Sequence, residues 1–162
     1  MFIKRSDARH RLSVVRGCAR GVEAGDTLEL ETRSLLLHDF VHYAVEAEGP
    51  IALGFWGTLA SGVRLSALVD CDARPALVGD LQRAESLVGP MQGVVQGRLS
   101  VERYLELAAG VSADFSIDGA WVERVRERTR RLVGAWRGTP YAGALVLVWP
   151  ATEPVSVDLL RH

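Results

Sequence analysis

The sequence between Thr27 and Glu48 reads TLELETRSLLLHDFVHYAVEAE and contains a change in hydrophobic period. Apolar and acidic residues alternate at the start of this stretch, which is typical of a strand with one buried face. From Leu35 onward the apolar residues recur with helical spacing, until a Gly-Pro pair at 49–50 ends the pattern. Ser34 is placed to cap this helix. The stretch therefore predicts a strand that is followed almost directly by a helix.

Outward from this stretch, the patterns predict strands at both ends of the chain and helices between them. The predicted strands are residues 11–16, 27–32 and 142–149, with a turn at 21–26 between the first two. The predicted helices are residues 35–48, 51–60, 75–88, 101–109 and 118–136, with Gly89 and Pro90 ending the third and a short helical piece following to about 97. This order predicts an α+β fold. A small antiparallel or mixed sheet, made of the N-terminal strand pair and the C-terminal strand, would carry several helices on one face.

Length and composition limit the classes of protein to consider. A chain of 162 residues, 48% hydrophobic and without an evident linker or repeat, fits one domain spanning residues 1–162. The net charge of -1 gives no overall positive field, so no nucleic-acid partner is expected. Apolar stretches are far shorter than the roughly 20 residues that cross a bilayer, and no secretory signal is evident.

The cysteine and lysine content indicates the cellular location and the type of source genome. Cys18 and Cys71 are far apart and form no disulfide framework, so we expect reduced thiols and a cytoplasmic location. Lys4 is the only lysine beside many arginines, which is typical of a GC-rich bacterial genome. Nothing in the sequence names a partner or an oligomeric state.

Four polar residues of the predicted helix fall on one side of it. At about 100° per residue, His38, Asp39, His42 and Glu46 lie within an arc of roughly 100°, opposite the apolar residues. Histidines four residues apart on a helix stand close enough for both imidazoles to bind one divalent ion. The spacing therefore predicts a site for zinc or another divalent metal, with His38 and His42 as ligands.

The segment His38-Asp39-Phe40-Val41-His42 resembles the His-Glu-x-x-His motif of zincin metalloproteases. Asp39 stands where that family has its general-base glutamate, so the resemblance implies a hydrolase with Asp39 as the catalytic base. Aspartate is one methylene shorter, which would place its carboxylate farther from a metal-bound water. The longer pattern, continuing through Tyr43 and Glu46, is also similar to that of uncharacterised bacterial proteins, and that resemblance implies no reaction.

The third metal ligand is left open by the sequence. Glu46 lies two helical turns beyond His38 and could reach the ion by bending its side chain back toward His42. Other donors, which could arrive from a loop, are Asp70, Cys71 and Asp72.

The residues from Leu36 to Phe40 also resemble the paired His-Asp element of the HD phosphohydrolases. That resemblance implies a metal site with a further upstream histidine, for which only His10 is present. HD domains are all-helical, and a predicted strand pair precedes the motif here. The zincin-like interpretation is therefore favoured.

The helix predicted at 118–136 has a strongly charged exterior. Glu123 can pair with Arg126 at three residues and Glu127 with Arg131 at four, which predicts a solvated, salt-bridged face rather than a nucleic-acid surface. The opposite stripe is predicted to lie in the core and consists of Trp121, Val125, Leu132 and Trp136.

Two functions from different classes follow. In the first, the chain is a metal-binding, zincin-like hydrolase in which His38 and His42 are ligands and Glu46, or a carboxylate of Asp70 or Asp72, completes the site. In the second, it is a non-catalytic, partner-binding or structural protein without metal. The histidines would then bond to carbonyls or carboxylates, while Asp39, Tyr43 and Glu46 would lie in solvent.

Overall fold

The computed structural model describes residues 1–18, 21–69, 79–111, 115–150 and 155–157. Its strands are β1 (Phe2–Lys4), β2 (Arg9–Cys18), β3 (Gly21–Glu31), β4 (Ala144–Val146) and β5 (Val155–Val157). They form one antiparallel sheet in the order β3-β2-β1-β4-β5. A π-helical turn (Thr32–Leu36) follows β3, and the α-helices are α1 (Leu37–Glu48), α2 (Phe55–Ala60), α3 (Leu65–Val69), α4 (Gly79–Val95), α5 (Val101–Ala108) and α6 (Gly119–Gly138). The predicted α+β class, with helices packed against the sheet, is confirmed.

The N-terminal hairpin is longer than the sequence pattern indicates. The turn predicted at residues 21–26 is wrong, because β3 begins at Gly21 and pairs with β2 down to Cys18. The register places Leu12 opposite Leu28. Both of these side chains belong to a hydrophobic cluster shared with the helices, so one face of the hairpin is directed toward the core.

The centre of the sheet is a strand that the pattern did not predict. β1 has only three residues, yet it pairs with β2 on one side and with β4 on the other. Such a short segment shows too little alternation to predict a strand. Its position in the sheet comes from pairing with β2, the next strand along the chain, and with β4 from the far end of the chain.

Helix α1 lies between two hydrophobic clusters. Val41, Ala44 and Val45 belong to a cluster shared with α4, α5 and α6, whereas Phe40 and Tyr43 belong to the cluster on the sheet side. Tyr43 is buried, and its hydroxyl donates to the carbonyl oxygen of Val148 at 2.8 Å. The expectation that Asp39, Tyr43 and Glu46 lie in solvent is wrong, because neighbouring elements bury all three side chains.

Helix α4 continues through the predicted stop at Gly89 and Pro90. Proline removes a backbone donor, but Leu87, Val88 and Met91 around it are fully buried in the core. The burial of this apolar face outweighs the local preference of the Gly-Pro pair.

The predicted starts of α5 and α6 are confirmed. The Ser100 hydroxyl accepts a hydrogen bond from the Arg103 amide, and the Asp118 carboxylate accepts one from the Trp121 amide at 2.8 Å. The predicted core stripe of α6 is buried. On its exposed face Glu123 pairs with Arg126, as predicted, and Glu127 pairs with Arg130.

Within the described ranges, no helix is long and apolar enough to cross a membrane.

Candidate metal centre

The polar side of α1 is buried. Asp39 is 8% exposed and His42 and Glu46 are each 2% exposed, although all three carry ionisable groups. Such groups are almost never buried unless they are paired or bind a metal. The arrangement of their partners therefore decides what this face does.

Two histidines of α1 and one glutamate of α4 form a cluster. His38, His42 and Glu85 each offer a ligand atom, and these atoms all lie within 4.8 Å of one another. The two imidazole rings are nearly perpendicular, with centroids 4.7 Å apart. His42 Nε2 lies 3.6 Å from Glu85 Oε2. Two nitrogens and a carboxylate oxygen thus converge on one point between α1 and α4.

Glu46 contacts the other side of His42. Its Oε1 lies 3.2 Å from His42 Nδ1 and also accepts the Phe55 amide, while its Oε2 accepts the Trp56 amide, each at 2.9 Å. The carboxylate therefore joins α1 to the first residues of α2 and fixes the orientation of the His42 ring. These contacts leave Nε2 of His42 directed toward Glu85.

Gly54 makes room for the Glu46 carboxylate. A Cβ atom at position 54 would lie 2.4 Å from Glu46 Cδ and 2.5 Å from Oε2. Because the carboxylate is held by two backbone amides and an imidazole, it could move only by losing these bonds. The Gly54-Phe55-Trp56 segment thus supplies both the space and the donors that Glu46 needs.

The two histidines have different protonation behaviour. Burial, with a further contribution from nearby His42, lowers the pKa of His38, so its imidazole is neutral at neutral pH. Burial alone would also lower the pKa of His42, but hydrogen bonds to Glu46 and Glu85 outweigh it and raise the pKa to about 9. Without a metal, His42 is therefore an imidazolium between two carboxylates.

Asp39 lies beside a histidine from the sheet. His10 of β2 is fully buried, and its Nε2 is 3.9 Å from Asp39 Oδ2. Neither atom has a hydrogen-bond partner among the described residues, whereas His10 Nδ1 lies 3.3 Å from the Thr32 hydroxyl. Buried polar atoms without partners are uncommon, and a bound water, an ion or a chemical role is among the explanations for them.

A cavity of about 430 Å³ opens beside the cluster. His38, Asp39, His42 and Glu85 all contribute to its lining, and the other lining residues in the described part of the chain are apolar. The volume is in the range of small-molecule sites. The potential ligand atoms therefore face a space that a small molecule could enter.

The structure brings His38, His42 and Asp39 of the predicted site to this one cavity. Glu46 bonds instead to His42 Nδ1 and to α2, and its assignment as a ligand stays a prediction. Glu85 was missed, because nothing local marks it as a ligand: it and Asp80 are the acidic residues of α4, and only the packing of α4 on α1 brings Glu85 to the histidines. The loop candidates fall outside the described residues: Asp70, Cys71 and Asp72.

No family model, curated protein or solved structure matches this chain.

Proposed function

We propose that the protein binds a divalent metal ion through His38, His42 and Glu85 and uses this ion in hydrolysis. Zinc is the ion that we favour. The observation that carries this proposal is the convergence of the three ligand atoms, within 4.8 Å of one another, at the edge of a cavity. Two imidazoles and one carboxylate are a ligand set of catalytic zinc, which keeps its fourth position for water or substrate.

The dimensions of the cluster are compatible with this ion. Ligand atoms about 2.1 Å from a tetrahedral zinc are about 3.4 Å from each other. The 3.6 Å contact between His42 and Glu85 is already close to that value. Because His38 and Glu85 are partly exposed at the cavity, small side-chain rotations would bring the remaining atoms together.

In this proposal Glu46 orients a ligand and does not bind the metal. A histidine that binds zinc through Nε2 usually donates its Nδ1 hydrogen to a carboxylate or carbonyl, which fixes the ring and raises its basicity. Glu46 is in that position relative to His42. The carboxylate of Glu46, which the sequence predicts to be a ligand, would thus contact the ligand His42 and not the ion.

Asp39 is the proposed general base. It lines the same cavity and its side chain is 11% exposed, so the carboxylate has the capacity to accept a proton from an attacking water there, while its buried Oδ2 faces His10. His10, 3.9 Å away, could then stabilise the carboxylate in this orientation. A metal bound nearby would supply a polarised carbonyl and a water of lowered pKa.

The competing function is a structural one, and a specific contact favours it. Protonated His42 bridges Glu46 and Glu85, so these three side chains satisfy one another without a metal. In that case, His38 and Asp39 would have no chemical role, and the protein would act through its surface.

Metal analysis of the purified, untagged protein separates the two functions. We expect about one zinc, manganese or iron ion per chain, lost in His38→Ala and Glu85→Gln. Glu46→Gln should weaken binding by about 10-fold to 100-fold without abolishing it. The matched control is Glu127→Gln on the exposed face of α6. If the wild type holds no more metal than the His38→Ala variant and its melting temperature is indifferent to chelators, the structural function is correct.

The role of Asp39 is tested on the metal-loaded protein. Asp39→Asn should retain the ion but lower the rate of hydrolysis by about 100-fold or more, which is the usual contribution of a general base. Equal rates in the wild type and this variant would remove Asp39 from the chemistry while leaving the metal site intact.

A further inference from the structure

The cavity beside the cluster has a divided lining. Its polar groups belong to α1 and α4, whereas the sheet, α2 and α3 supply apolar side chains. The buried and half-buried apolar residues are Leu12, Leu28, Leu30, Phe55, Leu65 and Leu68. A ligand in this space would therefore have a large apolar part and one polar group directed toward the histidines.

The charges around the cavity restrict the polar group. Asp39 and Glu85 are the acidic residues of the described lining, and this lining contains no lysine or arginine. Phosphate groups are normally bound by arginine, lysine or clusters of backbone amides. A phosphate ester placed here would face these two carboxylates, and the cation that the described lining offers, His42, already lies between Glu46 and Glu85. An uncharged group such as a carbonyl therefore fits the site better.

We propose that the substrate is a neutral ester or amide with an apolar acyl chain of medium length, seated in this cavity with its carbonyl at the cluster. This inference rests on the proposed function for the reaction, but not for the binding of the acyl chain. A cavity of about 430 Å³ has the size of a small-molecule site, and each buried methylene contributes about 0.8 kcal/mol. Chain length should thus control affinity.

The reaction is a simple hydrolysis. The oxygen of water forms a bond to the carbonyl carbon, and the bond from that carbon to the alcohol oxygen or amine nitrogen breaks. Asp39 accepts a proton from the water and returns it to the leaving group. The products are a carboxylic acid and an alcohol or amine, so no oxidant, reductant or further reactant is needed.

Two apolar residues allow the cavity to be altered without changing the core. Leu35 and Val69 line it but are 37% and 41% exposed, so Leu35→Arg and Val69→Arg should fold normally. Leu107 on α5 is 45% exposed and does not line the cavity, which makes Leu107→Arg the matched control. Circular dichroism spectra and melting temperatures equal to those of the wild type would show that all three variants fold normally.

The first experiment measures binding to the metal-free protein by calorimetry, with octanamide and acetamide as probes. Octanamide should bind at least about 10-fold more tightly than acetamide, because it buries six more methylenes. Leu35→Arg and Val69→Arg should weaken octanamide binding about 10-fold, and Leu107→Arg should not. Equal binding of the two amides, or equal effects of all three variants, would overturn the inference.

The second experiment compares p-nitrophenyl acetate, octanoate and phosphate as substrates of the metal-loaded protein. We expect kcat/KM to be at least about 100-fold higher for octanoate than for acetate, with Leu35→Arg removing most of that preference. Preferential hydrolysis of the phosphate would contradict the inference. If octanamide binds but no metal does, the proposed hydrolase is wrong, and the cavity is a binding site for apolar acyl compounds.

Discussion

Helices α1 and α6 have similar patterns of charged residues but opposite environments. On α6, Glu123 and Glu127 pair with arginines three residues away, and both glutamates lie in solvent. On α1, His42 and Glu46 pair at four residues and are 2% exposed. Helical periodicity thus shows which polar side chains share a face, but it does not show whether another element covers that face.

The difference has a large energetic consequence. An exposed ion pair contributes less than about 1 kcal/mol, because water screens the charges and two mobile side chains must be ordered. A buried pair has lost its hydration, and removing one partner leaves an uncompensated polar group. Matched variants on α1 and α6 therefore measure how far burial changes the same kind of contact.

The largest effect is expected for Glu46→Ala. This change leaves the amides of Phe55 and Trp56 and the His42 imidazole without their acceptor in the interior, at an expected cost of about 3 to 5 kcal/mol. Glu127→Ala on α6 should cost less than about 0.5 kcal/mol. Urea unfolding of both variants gives the comparison. A loss below 1 kcal/mol for Glu46→Ala would mean that the carboxylate is not the link between α1 and α2.

The sequence predicted the face of α1 because periodicity is a local property. His38, Asp39, His42 and Glu46 are separated by fixed angles on any helix, and the strand before them was also evident from its alternation. The capping residues Ser100 and Asp118 were likewise found from their local chemistry. These features depend on neighbours in the chain.

What was missed depends on distant parts of the chain. Glu85 reaches the histidines because α4 packs on α1, and His10 reaches Asp39 because β2 lies beneath the same helix. β1 lies at the centre of the sheet because it pairs with β4, from the far end of the chain, as well as with its neighbour β2. No sequence pattern within α4 marks Glu85 as a metal ligand, so its role becomes visible only in the folded protein.

The second prediction concerns the pH dependence of the metal-free protein. Because the folded pKa of His42 is raised from 6.5 to about 9, its contribution to stability is fully present below pH 6.5 and is lost as pH rises through 9. We expect a loss of at most about 3 kcal/mol between pH 7 and 9.5. In this window His38 is neutral, since its pKa is lowered.

A His42→Asn variant is the reference for this measurement. Its unfolding free energy should be lower at pH 7 and should change less between pH 7 and 9.5, because the coupled proton has been removed. If the unfolding free energies of the two proteins changed equally with pH, the ionic arrangement of His42 between Glu46 and Glu85 would be contradicted. The exposed ion pairs of α6 are present in both proteins, so their contribution to the unfolding free energy cancels in the comparison.

The third prediction separates packing from charge. Gly54→Ala places a methyl group 2.4 Å from Glu46 Cδ, so the carboxylate must shift and weaken its bonds. We expect a loss of about 1 to 3 kcal/mol in stability and about 10-fold to 100-fold in metal affinity. Gly134→Ala on α6 meets open space and should stabilise the protein by about 0.5 to 1 kcal/mol. Equal melting temperatures for the two variants would show that the Gly54 contact is relaxed without cost.

The smallest effect tests a contact between the two helices. Glu48, near the end of α1, pairs with Arg124 and Arg128 of α6, and the side chains of Glu48 and Arg128 are 15% and 18% exposed. This intermediate burial predicts a loss of about 1 kcal/mol for Glu48→Gln, between the values expected for Glu46 and for the exposed pair of Arg126. Arg126→Gln should cost less than about 0.5 kcal/mol. Glu48→Gln should leave the metal content unchanged, because Glu48 does not belong to the cluster. A loss no larger than that of Arg126→Gln would show that partial burial does not strengthen the Glu48 pairs, so that only full burial, as at Glu46, changes the energy of an ion pair in this fold.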